Sequence, residues 1–359
     1  MIRRTISLLV AALSLAACSN STVNKDWHRS RPVAEGRRPI GLPGQPVEPG
    51  FRPGERAGAT AASAARDPRS MVTIDGSSHA TMGWSELISR AAQSDIVLIG
   101  EVHGHPGAQA FLAAFWDDLT PQAGGAWLAL EFFDRDQQNA LDDYLAGVTT
   151  EDEFKKNAAR NNSNYPPGHR AMVERAKALG RPVIAANSPR RYARLARTSG
   201  YDKLQALGPE TQRLFVVPST MTEGRYRTEF ENMMRDSLRQ GAHDAAEKKE
   251  KAEAAKQGDT TPEPEDIEAK VQGYYRSQNL WDATMADSIT RPALAGARPV
   301  VLVVGQYHTD FNGGLVERIR AAAPNLRVMT ISLADEFASQ GNALRPADAG
   351  RADAVIYLK

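Results

Sequence analysis

Two short apolar runs of this 359-residue chain each end in the pattern Gly-x-x-His. The pattern occupies residues 100–103 after the run 96–99, and it returns at residues 305–308 after the run 300–304. Short runs rich in β-branched residues and bounded by glycine are typical of buried strands. Open parallel sheets bind their ligands at the carboxyl ends of the strands. The two histidines therefore predict both a sheet and the edge of that sheet where a functional site lies.

Further apolar runs alternate with helical patterns along the chain. Additional strands are predicted at 127–133, 182–186 and 326–333, with short edge strands at 71–74 and 355–358. The helices are predicted at 84–92, from Pro106 onward, and at 134–145, 171–179 and 315–322. Strands that alternate with helices favour parallel pairing. We therefore predict an α/β fold with a largely parallel sheet flanked by helices, and a smaller helical lobe.

The N-terminus has the features of a bacterial lipoprotein signal. Arg3 and Arg4 precede an apolar stretch at 6–17, which is short for a membrane span. Residues 15–18 are Leu-Ala-Ala-Cys, and Cys18 is the only cysteine of the chain. Lipidation of its thiol explains an exported protein with one cysteine better than an ordinary secretory signal with an incidental cysteine does. The serine that follows is similar to the sorting signal of outer-membrane lipoproteins in Gram-negative bacteria.

Composition divides the rest of the chain. Residues 18–70 are rich in Pro, Gly and Arg and poor in apolar side chains, so they are predicted to form a flexible tether. The α/β domain is predicted at 71–335, with the helical lobe at 221–293 and a charged insertion at 241–271 inside the lobe. A C-terminal tail is predicted at 336–359. Lys and Arg total 44 against 43 Asp and Glu, a balance that indicates no nucleic-acid partner.

Polar side chains follow four of the predicted strands. In a parallel sheet these strand ends lie on one edge, so the side chains are expected to lie close together. Carboxylates, imidazoles and an amide at one edge can bind a metal, polarise a water or hold a polar ligand. Glu131 lies inside an apolar run and needs a partner such as Arg190, a histidine or a metal, because an unpaired buried carboxylate costs several kcal/mol. The candidates are Glu101, His103, Glu131, Asn187, Arg190, Tyr307 and His308.

Each candidate also has a simpler structural interpretation. A single histidine after a strand is most often a hydrogen-bonding or capping residue. Asn187 and Ser188 fit the cap of the helix that follows them. His105 is placed at the start of a helix. His169 follows a Pro-Pro-Gly turn and is predicted to lie at the surface.

Five ordered blocks of sequence connect these candidates with a known family. The chain resembles the ChaN-like haem-binding lipoproteins of the haem-binding-uptake and Tiki superfamily, which also contains Tiki-type metalloproteases and erythromycin-esterase-like hydrolases. The similarity covers about residues 72–333. It departs from the family in the few histidines after the first motif and in the longer charged insertion. The blocks are 101–103, 130–138, 182–190, 278–286 and 305–308.

The resemblance implies a membrane-anchored, periplasm-facing protein that binds haem without catalytic turnover and acts in haem or iron uptake. Haem iron takes histidine or tyrosine as its axial ligand, and a tyrosine phenolate suits ferric iron. Tyr307 is the first candidate for this ligand, beside His308 and His103. Tyr274 and Tyr275 in the helical lobe are the next candidates.

The same resemblance implies a place for the haem propionates and an alternative chemistry. The haem propionates are expected to bind Arg190, Arg191 or the helix N-terminus beside them, and Asn187 belongs to the same cofactor-binding set.

The alternative is a metal-dependent hydrolase, in which a divalent metal such as Zn or Mn activates water and Glu101 and Glu131 are the catalytic carboxylates. The metal ligands in that alternative are Glu101, His103, Glu131 and His308.

The expected partners are haem and the membrane, and the lipid on Cys18 is expected to anchor the protein to that membrane. A second copy of the chain and haem-transport proteins are further expected partners. A purely structural envelope lipoprotein is the least favoured interpretation, because it leaves Glu131 and both motif histidines without a role.

Overall fold

One sheet carries the strands of the molecule. The computed structural model describes residues 67–253, 266–335 and 343–358. The strands in these ranges are β1 (Thr73–Asp75), β2 (Thr81–Met82), β3 (Ile96–Glu101), β4 (Trp127–Asp134), β5 (Val183–Asn187), β6 (Val300–Gly305), β7 (Val328–Asp335) and β8 (Ala354–Leu358). They form a single sheet in the spatial order β2-β1-β8-β7-β3-β6-β4-β5.

Most of the sheet is parallel, which confirms the predicted α/β class. Every pairing from β8 across to β5 is parallel, whereas β1 is antiparallel to both β2 and β8. The strand predicted at 355–358 is present as β8, but its placement at an edge is wrong. β8 lies between β1 and β7, and all five of its residues are buried. This predicted run is therefore an interior strand of the sheet.

Helices cover both faces of this sheet. Their bounds are α1 (Trp84–Ala92), α2 (Pro106–Gln122), α3 (Gln138–Leu145), α4 (Glu151–Asn157), α5 (Pro167–Ala178), α6 (Arg190–Ser199), α7 (Asp202–Gln205), α8 (Pro209–Gln212), α9 (Arg225–Glu253), α10 (Ile267–Leu294) and α11 (Gly314–Ala322). α3 begins later than predicted, because Asp134 still belongs to β4 and residues 135–137 form a 3-10 turn. α5 begins earlier than predicted, because Pro167 takes the first helical position, where a missing N–H is not needed.

The alternating side chains of β6 show how the layers pack. Val301 and Val303 enter one apolar core, and Val300, Leu302 and Val304 enter the other. This is the period of two expected of a strand that is buried on both faces. Helices α1, α2 and α5 close the first core, and α6, α10 and α11 close the second. Because both faces are covered, side chains with polar functions are confined to the strand ends.

The helical lobe consists of α9 packed against the first part of α10. Asp266 caps α10 by accepting a hydrogen bond from the Ala269 backbone N–H at 3.0 Å. Tyr307, which follows β6, also packs against the lobe core, so the lobe lies next to the second Gly-x-x-His motif. Its buried side chains are Tyr226, Phe230, Met233, Met234, Val271 and Tyr275.

Some predicted features lie outside the described residues. The signal peptide, Cys18 and most of the tether precede residue 67, and the middle of the charged insertion occupies residues 254–265. Part of the predicted C-terminal tail, residues 336–342, also lies outside them. In the described ranges, none of the helices combines the length and the apolar character needed to cross a membrane.

Candidate functional site

The two Gly-x-x-His motifs lie side by side in the sheet. β3 and β6 are neighbours, and their register pairs Glu101 with Gly305. β4 follows β6 and β5 follows β4, so the four polar strand ends adjoin one another as predicted. The side chains that meet there, which we term the strand-end cluster, are Glu101, His103, Glu131, His169, Asp282 and His308.

Each motif glycine makes room for the opposite motif. A Cβ atom at Gly305 would lie 2.8 Å from His103 Nε2. A Cβ atom at Gly100 would lie 2.5 Å from Thr309 Oγ1 and 2.9 Å from Gln306 Cα. Both positions are too close to a neighbour for a larger residue to fit without displacement. The glycines of the repeated pattern therefore allow the two loops to approach, and the histidines then share one site.

Glu101 is buried and accepts hydrogen bonds on both carboxylate oxygens. Its Oε1 lies 3.0 Å from His103 Nδ1 and 2.9 Å from His169 Nε2. Its Oε2 accepts from Gln109 Nε2 at 3.0 Å. Burial alone would raise the pKa of this carboxyl, but His169 and His103, which both form hydrogen bonds with it, lower it to about 2. Glu101 is therefore a buried carboxylate that orients two histidines.

Gln109 connects this carboxylate with helix α5. Its Oε1 accepts from the Gly168 backbone N–H at 3.0 Å, which fixes the orientation of the amide and leaves Nε2 to donate to Glu101. A Cβ atom at Gly168 would lie 2.5 Å from the Gln109 backbone carbonyl oxygen. The glycine after the two prolines therefore lets the start of α5 press against α2, and this contact delivers His169 to the site.

His169 does not lie at the surface, and its prediction there is wrong. Only 1 % of the residue is exposed, because it sits in the first turn of α5, against the end of β3. The Phe132 ring packs between the two imidazoles, with its centroid 4.7 Å from that of His103 and 4.9 Å from that of His169. The Pro-Gly-His sequence at a helix start was the available signal, since Gly permits the close approach that buries the next residue.

Glu131 finds partners in both Gly-x-x-His motifs. Its Oε2 accepts from the Gly305 backbone N–H at 2.6 Å and lies 3.7 Å from His103 Nε2. Its Oε1 lies 3.6 Å from His308 Nε2. Burial would raise the pKa of this carboxyl, but the two imidazoles and the backbone N–H lower it to about 2. Glu131 therefore bridges the histidines of the two motifs.

His308 is held by a second buried carboxylate from the lobe. Its Nδ1 lies 2.6 Å from Asp282 Oδ1, and Asp282 Oδ2 accepts from the Tyr226 hydroxyl at 2.7 Å. Gln278 Nε2 donates to the same Tyr226 hydroxyl at 2.8 Å. Burial would lower the pKa of His308, but Asp282 and Glu131 raise it to about 10. The imidazole therefore carries a proton at neutral pH and is tied to two carboxylates.

Sequence reasoning assigned no role to Asp282 or Gln278, although both lie in the block 278–286. The two residues are four positions apart on α10, so they share one helix face. Both are buried polar residues, with 0 % and 1 % exposure respectively. Polar residues at this spacing in an otherwise apolar helical stretch were the signal for a buried network.

The candidate tyrosines lie in the lobe core with their hydroxyls engaged or their rings stacked. Tyr307 is half-buried, and its hydroxyl donates to the Tyr226 backbone carbonyl at 2.8 Å. Burial raises its pKa well above the ordinary value, which opposes a phenolate. The Tyr275 hydroxyl donates to the Thr222 carbonyl, and the Arg197 guanidinium lies over the Tyr274 ring. Tyr307 as an iron ligand stays a prediction.

Asn187 and Arg190 lie at the end of β5, but Asn187 does not cap a helix. The cap of α6 is Pro189, without a side-chain hydrogen bond, because the helix begins only at Arg190. Asn187 Oδ1 instead accepts from the Ser188 backbone N–H at 2.9 Å. Burial raises the pKa of Asp134 to about 7, although the positive charge of Arg190 acts to lower it. The propionate role of Arg190 stays a prediction.

The strand-end cluster can offer a single imidazole nitrogen more readily than a metal cage. In the part of the chain that the structure describes, no group of three or more His, Cys, Asp and Glu residues is arranged to hold a metal ion. The reason lies in the pairing: Nδ1 of His103 faces Glu101, and Nδ1 of His308 faces Asp282. His103 Nε2 lies 3.7 Å from Glu131 Oε2, beyond hydrogen-bonding distance, and the neighbouring carboxylates Glu101 and Glu131 raise the pKa of this imidazole against the effect of burial. Haem iron needs few protein ligands, and a single imidazole nitrogen can supply one.

Comparison with known proteins supports the same family. The family model for haem-binding uptake proteins of the Tiki superfamily, ChaN, matches residues 87–319. Among solved structures, ChaN of Campylobacter jejuni with cofacial haem aligns with a TM-score of 0.58 and 15% identity, and the alignment covers 80% of this chain and 97% of that one. This likeness shows a shared fold. No curated protein matches the chain.

Two further structures align less closely. A Bacillus cereus protein has a TM-score of 0.41 and 11% identity, over 76% of this chain and 90% of that one. An erythromycin esterase variant in its open conformation has a TM-score of 0.41 and 13% identity, over 73% of this chain and 77% of that one.

Proposed function

The chain belongs to the haem-binding uptake family of the Tiki superfamily that is named for ChaN, and from this premise we propose that it binds haem at the strand-end cluster, with His103 as the iron ligand. The proposal extends to its cellular role: the protein is a lipoprotein of the outer membrane that faces the periplasm and takes part in haem or iron uptake.

The environment of His103 is the observation that carries the proposal. Its Nδ1 faces Glu101 at 3.0 Å, which is the supporting contact that iron- and zinc-bound histidines usually have. Its Nε2 makes no hydrogen bond to Glu131, and 20% of its side chain is exposed. In His308 the corresponding Nδ1 is also paired, but only 7% of the side chain is exposed. His103 is therefore the better placed of the two motif histidines.

Haem bound here would supply an iron that accepts the imidazole lone pair. Glu101 would keep the proton on Nδ1 and so direct Nε2 toward the iron. Glu131 and His308 would remain paired behind it. The half-buried Phe132 ring beside His103 offers an apolar surface to a porphyrin. Arg190 and Arg191 at the start of α6 are the proposed partners of the propionates, with Asn187 next to them.

A hemin titration tests binding. Purified protein without its lipid is expected to convert the broad spectrum of free hemin into a sharp Soret band that saturates at a fixed ratio of hemin to protein. A spectrum identical to that of free hemin at every ratio would contradict the proposal. His79→Asn is a suitable control, because His79 is exposed in a turn at a positive φ of 62°, which asparagine tolerates.

Membrane anchoring needs a separate test. We expect the full-length protein to fractionate with outer membranes and to incorporate labelled palmitate, and we expect both properties to be lost in Cys18→Ser. Retention of the label in Cys18→Ser would contradict lipidation at this cysteine.

A hydrolase is the second candidate, and the pairing of His308 with Asp282 and Glu131 is the observation that favours it. An imidazole between two buried carboxylates is an arrangement that general acid–base chemistry uses. Elemental analysis of protein purified without chelator and assays of ester and amide hydrolysis test this candidate. Stoichiometric Zn or Mn together with turnover that His103→Ala abolishes would favour the metal-dependent form.

A further inference from the structure

The edge of the sheet opposite the strand-end cluster carries an excess of positive charge. β3 to β7 are parallel, so the five loops that lead into them meet at this edge, which we term the amino edge. All five loops lie within the described residues, and their charged side chains are Arg181, Arg298, Arg327 and Asp95. Three arginines against one carboxylate make the amino edge basic, although Lys and Arg total 44 against 43 Asp and Glu in the whole chain.

The need to balance Asp95 explains only one of these arginines. Asp95 is 3% exposed, and its Oδ1 lies 3.2 Å from Arg298 Nη1 and 3.4 Å from Arg327 Nη2. The side chains of these two arginines are 57% and 64% exposed. Arg181 Nε has no hydrogen-bond partner among the described residues. Two positive charges are therefore left without a counter-charge in these loops.

The three arginines are spread along the amino edge. They precede β5, β6 and β7, and in the spatial order β7-β3-β6-β4-β5 one strand separates each of these strands from the next. Neighbouring strands lie about 4.8 Å apart, so the arginines form a row roughly 20 Å long. A row of this length suits an extended anionic surface better than one small anion.

Two exposed leucines lie at the same edge. Among the described residues, the exposed large apolar side chains are Val148, Leu179 and Leu294. Leu179 directly follows α5, which leads into β5, and Leu294 ends α10, which leads into β6. Single exposed leucines are common on protein surfaces. Leucines beside arginines, however, are the combination that binds the interface of a membrane, where the apolar side chains enter and the cations meet the headgroups.

The N-terminal segment joins the domain on the side of the amino edge. Arg69 Nε and Nη2 donate to the Asp118 carboxylate at 2.7 and 3.0 Å, and Trp84 Nε1 donates to it at 2.8 Å. Asp118 lies one turn before the end of α2, which leads into β4. The chain that connects Cys18 with the domain therefore arrives near the edge that carries the arginines and the leucines.

We propose that the amino edge docks on an anionic phospholipid surface, with its arginines against the headgroups and Leu179 and Leu294 in the interface. The strand-end cluster, at the opposite edge, then faces away from the membrane. This inference rests on the membrane anchoring in the proposed function. The predicted tether alone would let any face of the domain meet the membrane, so the docking surface decides the orientation.

Vesicle co-sedimentation tests the docking with the mature chain from residue 18 onward, in which Cys18→Ser removes the lipid. The protein should bind vesicles of phosphatidylcholine and phosphatidylglycerol in equal parts more tightly than vesicles of phosphatidylcholine alone. An arginine near an anionic membrane strengthens binding about fivefold. Arg298→Gln should therefore weaken binding about fivefold, and added salt should remove this difference. Leu294→Gln should weaken binding several-fold at low and at high salt, because the apolar contribution is not screened.

Arg213→Gln is the matched control. It removes the same charge from a side chain that is 73% exposed. The Arg213 backbone carbonyl accepts from Arg135, which follows the carboxyl end of β4, so Arg213 lies at the opposite edge. Its variant should bind vesicles as the unmodified mature chain does. An environment-sensitive fluorophore on Leu179→Cys should report an apolar environment when vesicles are added, whereas the same fluorophore on Glu210→Cys, three residues before Arg213, should not.

Three results would contradict the proposal. Unchanged binding in Arg298→Gln and Leu294→Gln would assign the affinity to the tether, and an equal loss in Arg298→Gln and Arg213→Gln would assign it to total charge. Absence of vesicle binding, with retention on immobilised poly-glutamate that Arg298→Gln weakens, would assign the amino edge to an acidic protein. Because the protein in these assays has no lipid, failure of the palmitate test at Cys18 leaves their results intact, and failure of anchoring stays distinct from failure of docking.

Discussion

Glu131 illustrates how single residues keep charge inside this site. The carboxylate lies within an apolar strand, yet it receives a backbone N–H from Gly305 at 2.6 Å and lies within 3.7 Å of both motif histidines. Burial of a charge is tolerated only where partners compensate for lost water. The sequence indicated that Glu131 needed a partner, and the backbone amide of the second motif is the partner that side-chain patterns could not reveal.

The motif glycine at position 305 gives a prediction at this scale. Gly305→Ala brings a methyl group to 2.8 Å from His103 Nε2. We expect the free energy of unfolding to fall by about 1–3 kcal/mol from the forced displacement, and hemin affinity to fall with it. Urea denaturation and hemin titration measure the two effects. Gly124→Ala is the control, since its nearest neighbour would be Arg181 Nη2 at 4.0 Å, and an equal loss in this control would contradict the steric argument.

The pair of Asp282 and His308 gives a pH prediction. The folded protein raises the pKa of His308 from 6.5 to about 10. The stabilisation from this pair is therefore complete below about pH 6.5 and is lost as the pH rises toward 10. We expect Asp282→Asn to lower the free energy of unfolding by about 3–5 kcal/mol at neutral pH, because a buried charge loses its partner.

Urea denaturation at several pH values between 6 and 10 measures this dependence. The unmodified protein should lose stability across that range, and Asp282→Asn should lose less, because the imidazole no longer gains from the carboxylate. Parallel curves for the two proteins would show that Asp282 does not raise the pKa of His308.

At the scale of elements, the apolar runs were enough to predict the central strands, because each is a short apolar stretch bounded by glycine, proline or polar residues. The same reasoning placed 355–358 at an edge, since a short C-terminal run carries no information about which strands flank it. It also missed the role of α5. His169 reaches Glu101 through a contact between two helices that Gly168 and Gln109 make possible, and such a contact depends on tertiary packing.

One edge of the sheet is protected by a side chain of helix α3. Gln138 Nε2 donates to the Val183 carbonyl at 2.9 Å, and Gln138 Oε1 accepts from the Ala185 N–H at 2.7 Å. Gln138 thus pairs with the β5 backbone as a neighbouring strand would. We expect Gln138→Leu to lower the free energy of unfolding by about 1–3 kcal/mol, because two backbone groups lose partners, and to increase aggregation.

Urea denaturation and light scattering on heating measure these effects. Gln93→Leu is a matched control, since Gln93, which directly follows α1, makes an exposed hydrogen bond to Ser89 of that helix. Similar losses in both variants would indicate a general cost of replacing glutamine by leucine, and the edge-protection argument would be wrong.

At the scale of the whole molecule, the site joins three parts of the chain that the sequence separates. The sheet supplies Glu101 and Glu131, α5 supplies His169, and the helical lobe supplies Asp282. The lobe is therefore tied to the sheet through a buried network, and its displacement would disturb His308. A membrane anchor at Cys18 would hold this assembly at the periplasmic face, and the proposed haem site needs no contribution from the charged insertion.

The most direct measurement of the central claim is hemin binding by His103→Gly with and without added imidazole. Loss of a supporting hydrogen bond lowers metal affinity by about 10- to 100-fold. If His103 Nε2 is the iron ligand, His103→Gly should lose more hemin affinity than that. Free imidazole should then occupy the vacated space and restore the Soret band of the unmodified protein. Unchanged affinity and an unchanged spectrum in His103→Gly, with no response to imidazole, would contradict the claim.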